Sequence, residues 1–195
     1  LLSLSKKEIP IIALDINESD IKYDNVIYIK DSILNQNVIT SIFNNYNIIE
    51  VYHFAALLSQ SANNDPELAH KVNEEGSKLI INFAMSHGIK NESFVKIFFP
   101  SSIAVYGPRK LKNAKEPDII KPQTIYGCNK LAIEQFGTQR HEESIELGFG
   151  IDFRCLRFPG IISPYTIPFG GTTDFAPQML HAAYNNERYT CKVDS

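Results

Sequence analysis

Apolar positions fall into two alternating rhythms along this chain. Short β-branched runs read as strands at Ile11 to Asp15, Val26 to Lys30, Val51 to Ala55, Val95 to Phe99 and Phe153 to Phe158. Several are apolar at consecutive positions, the pattern of parallel strands buried on both faces. Between them lie longer stretches with helical spacing. The clearest runs from Pro66 to His87 and places Leu68, Val72, Leu79, Ile80, Phe83 and Ala84 on one stripe. Asp65 suits its N-cap, Pro66 its first turn and Gly88 its end. A second helix is predicted from Thr124 to Leu147, and the Asn-rich stretch Asn35 to Asn47 keeps enough periodicity for a short one. Strands alternating with helices predict an α/β fold, a doubly wound parallel sheet.

Composition narrows the setting. The chain has 195 residues, 44% hydrophobic and 21% charged, the proportions of one ordinary globular domain. A net charge of −3 gives no electrostatic reason to expect nucleic acid or an anionic membrane as partner. No apolar run approaches the ~18 residues that span a bilayer. Cys128, Cys155 and Cys191 are odd in number and far apart, which fits a reducing compartment better than a disulfide framework or zinc site. The histidines are scattered as well, so no metal is expected. The sequence opens at Leu1 and stops at Ser195, and the expectation is a fragment lacking both ends of a longer parent.

Several residues could carry chemistry. Asp15 ends the first strand. In a dinucleotide-binding sheet an acid at the end of the second strand accepts hydrogen bonds from the adenosine ribose hydroxyls and disfavours a 2′-phosphate, which points to NAD over NADP. The plainer reading is a turn aspartate. Asp31 closes the next strand and, with Ser32 and Ile33, could sit at the adenine. Ala55, Ala56 and Leu57 follow at the carboxyl end of the third strand, where small side chains let a cofactor approach closely; close helix packing would demand the same. His53 reads as a satisfied core histidine. Ser101 and Ser102 leave the end of the fourth strand, where a hydroxyl can donate to a substrate oxygen.

Tyr126 and Lys130 stand four apart in Tyr-Gly-Cys-Asn-Lys, on one helix face. A tyrosine with its ordinary pKa near 10 is a poor base at neutral pH. A neighbouring ammonium, helped by a cationic nicotinamide, favours the phenolate and lets it take a hydroxyl proton. The spacing alone is not specific, because Tyr106 has Lys110 four residues on. Pro108 lies between those two and opposes a regular helix.

Taken in order, Ala55-Ala-Leu-Leu-Ser59, Pro100-Ser-Ser-Ile-Ala-Val-Tyr-Gly-Pro108 and Tyr126-Gly-Cys-Asn-Lys130 resemble the extended short-chain dehydrogenase/epimerase family over nearly the whole chain. The resemblance implies a Rossmann-like sheet, NAD as cofactor, and Ser102, Tyr126 and Lys130 as catalytic residues. It implies Asn73 on the nicotinamide side. Arg157-Phe-Pro-Gly-Ile-Ile-Ser163 and Gly170-Gly-Thr-Thr-Asp-Phe-Ala176 resemble the branch that oxidises the 3-hydroxyl of L-threonine. By that likeness Pro159 and Ile161 line the nicotinamide. Ser59, Gly171, Thr172 and Thr173 join Ser102 and Tyr126 around a small zwitterionic substrate. The bland reading of the second segment is a loop with a helix N-cap at Thr173 or Asp174.

The runner-up is a nucleotide-sugar 4-epimerase or 4,6-dehydratase of the same family. Those epimerases usually carry asparagine where Pro159 stands. The dehydratases need acid/base residues where Ile103 and Ala104 follow Ser102. A non-catalytic NAD-binding regulator, from another class, would tend to lose the tyrosine or lysine.

The glycine-rich turn that seats a pyrophosphate on a helix N-terminus does not occur in this sequence. The doubly wound sheet is therefore expected to be incomplete, without its first strand, leaving Ile11–Asp15 and Val51–Ala55 either side of an unfilled central position. Residues 1–163 are read as a truncated NAD-binding domain and 164–195 as the start of a substrate-binding region. For the parent, the resemblance implies a homodimer in the cytoplasm or mitochondrial matrix.

Overall fold

The computed structural model describes residues 9–107, 120–161, 171 and 174–190. Among the described residues five strands form, all in parallel pairs. β1 (Ile11–Asp15) pairs with β2 (Val26–Lys30), in register Ile11 with Val26 through Asp15 with Lys30. β3 (Glu50–Tyr52), β4 (Phe94–Ser102) and β5 (Gly150–Phe158) make a second sheet in that order. Helix α1 (Gln36–Asn45) follows β2, and its N-cap Asn35 accepts from the Asn37 amide.

β1 and β3 belong to different sheets and face each other across a cleft of about 1250 Å³ lined by both strands. Among the described residues no strand lies between them. The unfilled position expected from the sequence is thus present, and the strand order on either side of it is that of a doubly wound sheet.

After β3 come α2 (Ser59–Asn64) and a long helical segment in three parts: α3 (Pro66–Ala69), a π-helical turn (His70–Gly76) and α4 (Ser77–Lys90). Asp65 caps it by accepting from the Leu68 amide, with Pro66 in the first turn, as predicted. Its end differs from the prediction. Gly88 does not stop the helix, which continues to Lys90. A Cβ on Gly88 would instead collide with the carbonyl oxygen of Gly150, so this glycine lets α4 press against the start of β5.

α5 (Ile125–Leu147) begins where Thr124 accepts from the Gly127 amide and ends at the left-handed Gly148. α4 and α5 pack on β4 and β5. There Ile81, Ala84, Met85, Val95, Ile97, Phe99, Ile133, Ile151 and Phe153 form the core. β4 alternates buried and more exposed positions, so the prediction of strands buried on both faces fails for it. Its other face carries an aromatic ladder of Tyr52, Phe54, Phe98 and Phe158, with Phe54 64% exposed. The third strand is shorter than predicted; Ala55 lies beyond it. The last helix, α6, covers Phe175–Tyr184, and no helix among the described residues is long and apolar enough to cross a membrane.

Candidate active site

Tyr126 sits in the first turn of α5 and Lys130 one turn later, so both face the carboxyl end of β4. Lys130 is 4% exposed. Its Nζ donates to the Pro100 carbonyl at 2.7 Å and lies 4.4 Å from the Phe99 ring centre and 5.5 Å from that of Tyr126. Burial lowers the Lys130 pKa to about 8, against the opposing field of Glu134. Burial also pushes the Tyr126 phenol up from its ordinary value. In the protein alone the direction is thus opposite to the lowering expected from Lys130, and burial is its cause. Two features work in the other direction: the Lys130 charge, and the positive end of a 23-residue helix.

Ser102 ends β4, and its Oγ accepts from the Ala104 amide, which leaves its proton to donate outward. Gly127 explains how α5 reaches this loop. A Cβ there would lie 2.6 Å from the Ala104 carbonyl oxygen, so the glycine between Tyr126 and Cys128 seats the helix directly on the 3₁₀ turn Ile103–Tyr106. The register pairs Ser102 with Phe158, so Pro159 and Ile161 emerge from β5 beside the serine loop.

The Tyr106 alternative has another use. Its hydroxyl accepts from Arg157 Nη1 at 2.9 Å. The turn holding it closes at Gly107, with φ of 73°, and Lys110 lies outside the described residues.

The cofactor candidates gather along one wall system. Asp15, Asp31, Ser32, Ala55, Ala56 and Leu57 all line the cleft between β1 and β3. Asp15 Oδ1 accepts from the Asn17 amide at 2.8 Å, which orients the carboxylate. The Asp31 carboxylate accepts from Asn35 Nδ2 and from the Ser32 amide, so it also organises the turn into α1.

Asn73 lies in the π-helical turn, a distortion frequent at functional sites. It accepts from the Leu57 amide at 2.7 Å and donates to the Leu57 carbonyl at 3.0 Å. Its side chain thus pins the loop that carries Ala55 and Ala56. His53 is 6% exposed, bonds Ser77 Oγ at 2.8 Å and stacks on Phe99, the satisfied core histidine that was predicted. Phe99 is shared by His53 and Lys130, which joins the cleft to the Tyr126 cluster.

These residues fit NAD at two places. A carboxylate at the end of β1 suits ribose hydroxyls, and Ala55 and Ala56, just past the end of β3, present small side chains that let a cofactor approach closely.

The proposed substrate residues are less gathered. Ser59 opens α2, which packs against α5. Gly171 donates its amide to Asp174 Oδ2 at 2.7 Å. Asp174 stands at the N-cap position of α6 but spends its carboxylate on Gly171 and not on the helix amides. Thr172, Thr173 and Ser163 lie outside the described residues.

One group escaped sequence reasoning altogether. Glu134, one turn past Lys130, receives the Arg157 guanidinium and Ser101 Oγ while 5% exposed. The signal available was an acid four residues after the lysine, which looks like any helix-surface glutamate until β5 is placed beside it.

The family model for NAD-dependent epimerases and dehydratases matches residues 3–194. The chain belongs to that family. Its fold is the family's Rossmann-like one, and its cofactor is NAD. The chain is similar to L-threonine 3-dehydrogenase, mitochondrial, of Bos taurus, with 37% identity over 168 residues, covering 85% of this chain and 42% of the bovine protein. A monomeric L-threonine 3-dehydrogenase from a metagenome, solved in its apo form, superposes with a TM-score of 0.80 at 34% identity. That match covers 94% of this chain and 56% of the metagenome chain. UDP-glucose 4-epimerase from Thermus thermophilus, in complex with NAD, shares the fold with a TM-score of 0.73 at 19% identity, over 91% of this chain and 56% of its own. The chain spans about half the length of the relatives it matches.

Proposed function

We propose that the full polypeptide carrying this sequence oxidises the 3-hydroxyl of L-threonine to 2-amino-3-oxobutyrate. The observation that carries this reading is the placement of Tyr126 and Lys130 on one turn of α5, seated by Gly127 on the loop that follows Ser102. Similarity to the bovine and metagenome L-threonine 3-dehydrogenases supports the substrate. Residues 1–163 supply the cofactor half and 164–195 begin the substrate-binding region.

Ser102 Oγ donates to the substrate hydroxyl oxygen and holds it near the Tyr126 phenol. Tyr126, as phenolate, takes the hydroxyl proton. Lys130 favours that phenolate by its charge and offers an ammonium to the nicotinamide ribose. Asp15 would accept from the adenosine ribose, Asp31 and Ser32 would stand at the adenine, and Ala55, Ala56, Leu57, Pro159 and Ile161 would shape the wall, with Asn73 holding Leu57. When bound, NAD would supply the acceptor for the hydride leaving the substrate carbon. Ser59, Gly171, Thr172 and Thr173 are assigned to the amino-acid carboxylate and ammonium.

The test is NADH absorbance in the full polypeptide with L-threonine, L-serine and a UDP-sugar offered separately. NADH formation with L-threonine, and little with the others, is the expected result. Turnover of the UDP-sugar in place of the amino acid would replace this reading with a nucleotide-sugar activity.

A further inference from the structure

Three consecutive residues at the end of β4 reach toward α5. Pro100 gives its carbonyl to Lys130, Ser101 gives its hydroxyl to Glu134, and Ser102 turns into the 3₁₀ loop under Tyr126. Lys130 and Glu134 are one turn apart on a single face, so the helix is bolted to the strand at two successive rungs. A third element joins them. Arg157 is the β5 partner of Ser101 in the register. It donates from Nε to Glu134 Oε1 at 3.0 Å and from Nη2 to Oε2 at 2.7 Å, a two-pronged grip. Its Nη1 goes to Tyr106. Glu134 is therefore the junction of β4, β5, α5 and the serine loop.

A buried ion pair is a weak device for stability, because desolvating both charges offsets most of their attraction. Apolar side chains would close this junction about as well. What they would not supply is a negative charge one turn below a buried lysine. We propose that Glu134 is a positioning residue for the Tyr126–Lys130 pair: clamped by Arg157 and Ser101, it fixes α5 on the ends of β4 and β5 and sets a negative charge one helical turn from the Lys130 ammonium. This rests on the catalytic reading given above.

Other groups around Lys130 do not do this work. Tyr126, on the same helix, is the group to be ionised. His53 is neutral at working pH, since burial takes its pKa down to about 4. Pro100 and Phe99 of β4 offer a carbonyl and a ring face. On the helical segment packed against α5, Glu74 is paired with Lys78 and bonded by Asn129. Arg157 and Tyr106 meet Lys130 through Glu134. Burial lowers the lysine and the Glu134 field opposes that lowering.

The experiment uses Glu134→Gln and Glu134→Asp in the full polypeptide, read in two ways. Lysine carbon-13 NMR, with the Lys130 signal assigned by Lys130→Arg, follows its ionisation. The pH profile of kcat/KM for L-threonine follows the chemistry. In Glu134→Gln the Lys130 midpoint should fall by on the order of one pH unit. The alkaline limb of the profile should move down with it, and Glu134→Asp should restore most of both. Should Glu134→Gln fail to fold, Arg157→Gln leaves the Glu134 charge and removes its positive partner, so the Lys130 midpoint is then expected to rise. An unchanged Lys130 midpoint in whichever variant folds, with activity lost equally at every pH, overturns the inference and leaves Glu134 a structural residue. If the midpoint shifts but the unaltered protein never oxidises L-threonine, the substrate reading falls while the role of Glu134 stands. If L-threonine is oxidised and the midpoint does not move, the role of Glu134 alone falls.

Discussion

Lys130 donates from Nζ to the Pro100 carbonyl, two residues before Ser102, while its own helix carries Tyr126 one turn earlier. That hydrogen bond ties the first turns of α5 to the end of β4, two residues before Ser102. The ammonium stands 5.5 Å from the centre of the Tyr126 ring.

The first expectation concerns the proton. Tyr126→Phe in the full polypeptide should lower turnover by about 10²–10⁴-fold, the range for losing a general base. NAD affinity should change little, because one hydroxyl is lost and the ring stays. Turnover close to that of the unaltered protein would reject Tyr126 as the base.

Tyr106→Phe provides the contrast. It removes one acceptor from Arg157, whose Glu134 contacts remain, so urea unfolding should show a loss of about 1 kcal/mol. Turnover should fall far less than in Tyr126→Phe. A loss as large as that variant's would transfer the proton-handling role to Tyr106.

Much of this site could be read from residue order, for physical reasons that differ by element. β1 and β2 were delimited correctly because short apolar runs between polar turns leave few alternatives. α5 was found because its cap is local: Thr124 bonds an amide three residues on. The separation of β1 and β3 into two sheets matches the unfilled position expected between them. Two of the failures involve distant partners. Gly88 looks like a helix stop until Gly150 is brought against it, and the Glu134–Arg157 pair spans 23 residues. The π-helical turn at Asn73 leaves no pattern in an apolar stripe that continues on both sides of it.

Gly88 can be tested directly. Gly88→Ala puts a methyl group into the Gly150 carbonyl, where backbone must move on both sides. The expected cost is about 1–3 kcal/mol by denaturant unfolding, the usual penalty for overpacking. An ordinary helix-end glycine replaced by alanine would show no such clash-driven loss, so an unchanged midpoint would restore the reading of Gly88 as a simple stop.

His53 gives a pH dependence with a definite sign. Its pKa in the folded chain is about 4, against 6.5 for the unperturbed group, because burial opposes its charge. The unfolded chain therefore binds the proton first as pH falls. Stability from this residue is fully present above pH 6.5 and is lost progressively toward pH 4, by on the order of 3 kcal/mol. Urea unfolding at pH 7.5, 6.0 and 5.0 should show that decline, and His53→Gln should flatten it. A slope unaffected by His53→Gln would assign the acid sensitivity to other groups.

The last expectation concerns cofactor choice. Asp15 ends β1 at the rim of the cleft, with one carboxylate oxygen engaged by the Asn17 amide. The carboxylate can accept from ribose hydroxyls and repels a 2′-phosphate. Asp15→Ser keeps an acceptor for the Asn17 turn but removes the charge. Losing a hydrogen bond to a charged group costs about 1.5–3 kcal/mol. NAD affinity of the full polypeptide should accordingly fall by about tenfold or more, each 1.4 kcal/mol being a factor of ten. NADP should bind better in the variant than in the unaltered protein, since the repulsion is gone. Fluorescence titration with both nucleotides reads the two effects separately. If NAD binds as tightly as before and NADP stays excluded, Asp15 is a turn residue, and the discrimination between nucleotides is made elsewhere in the cleft.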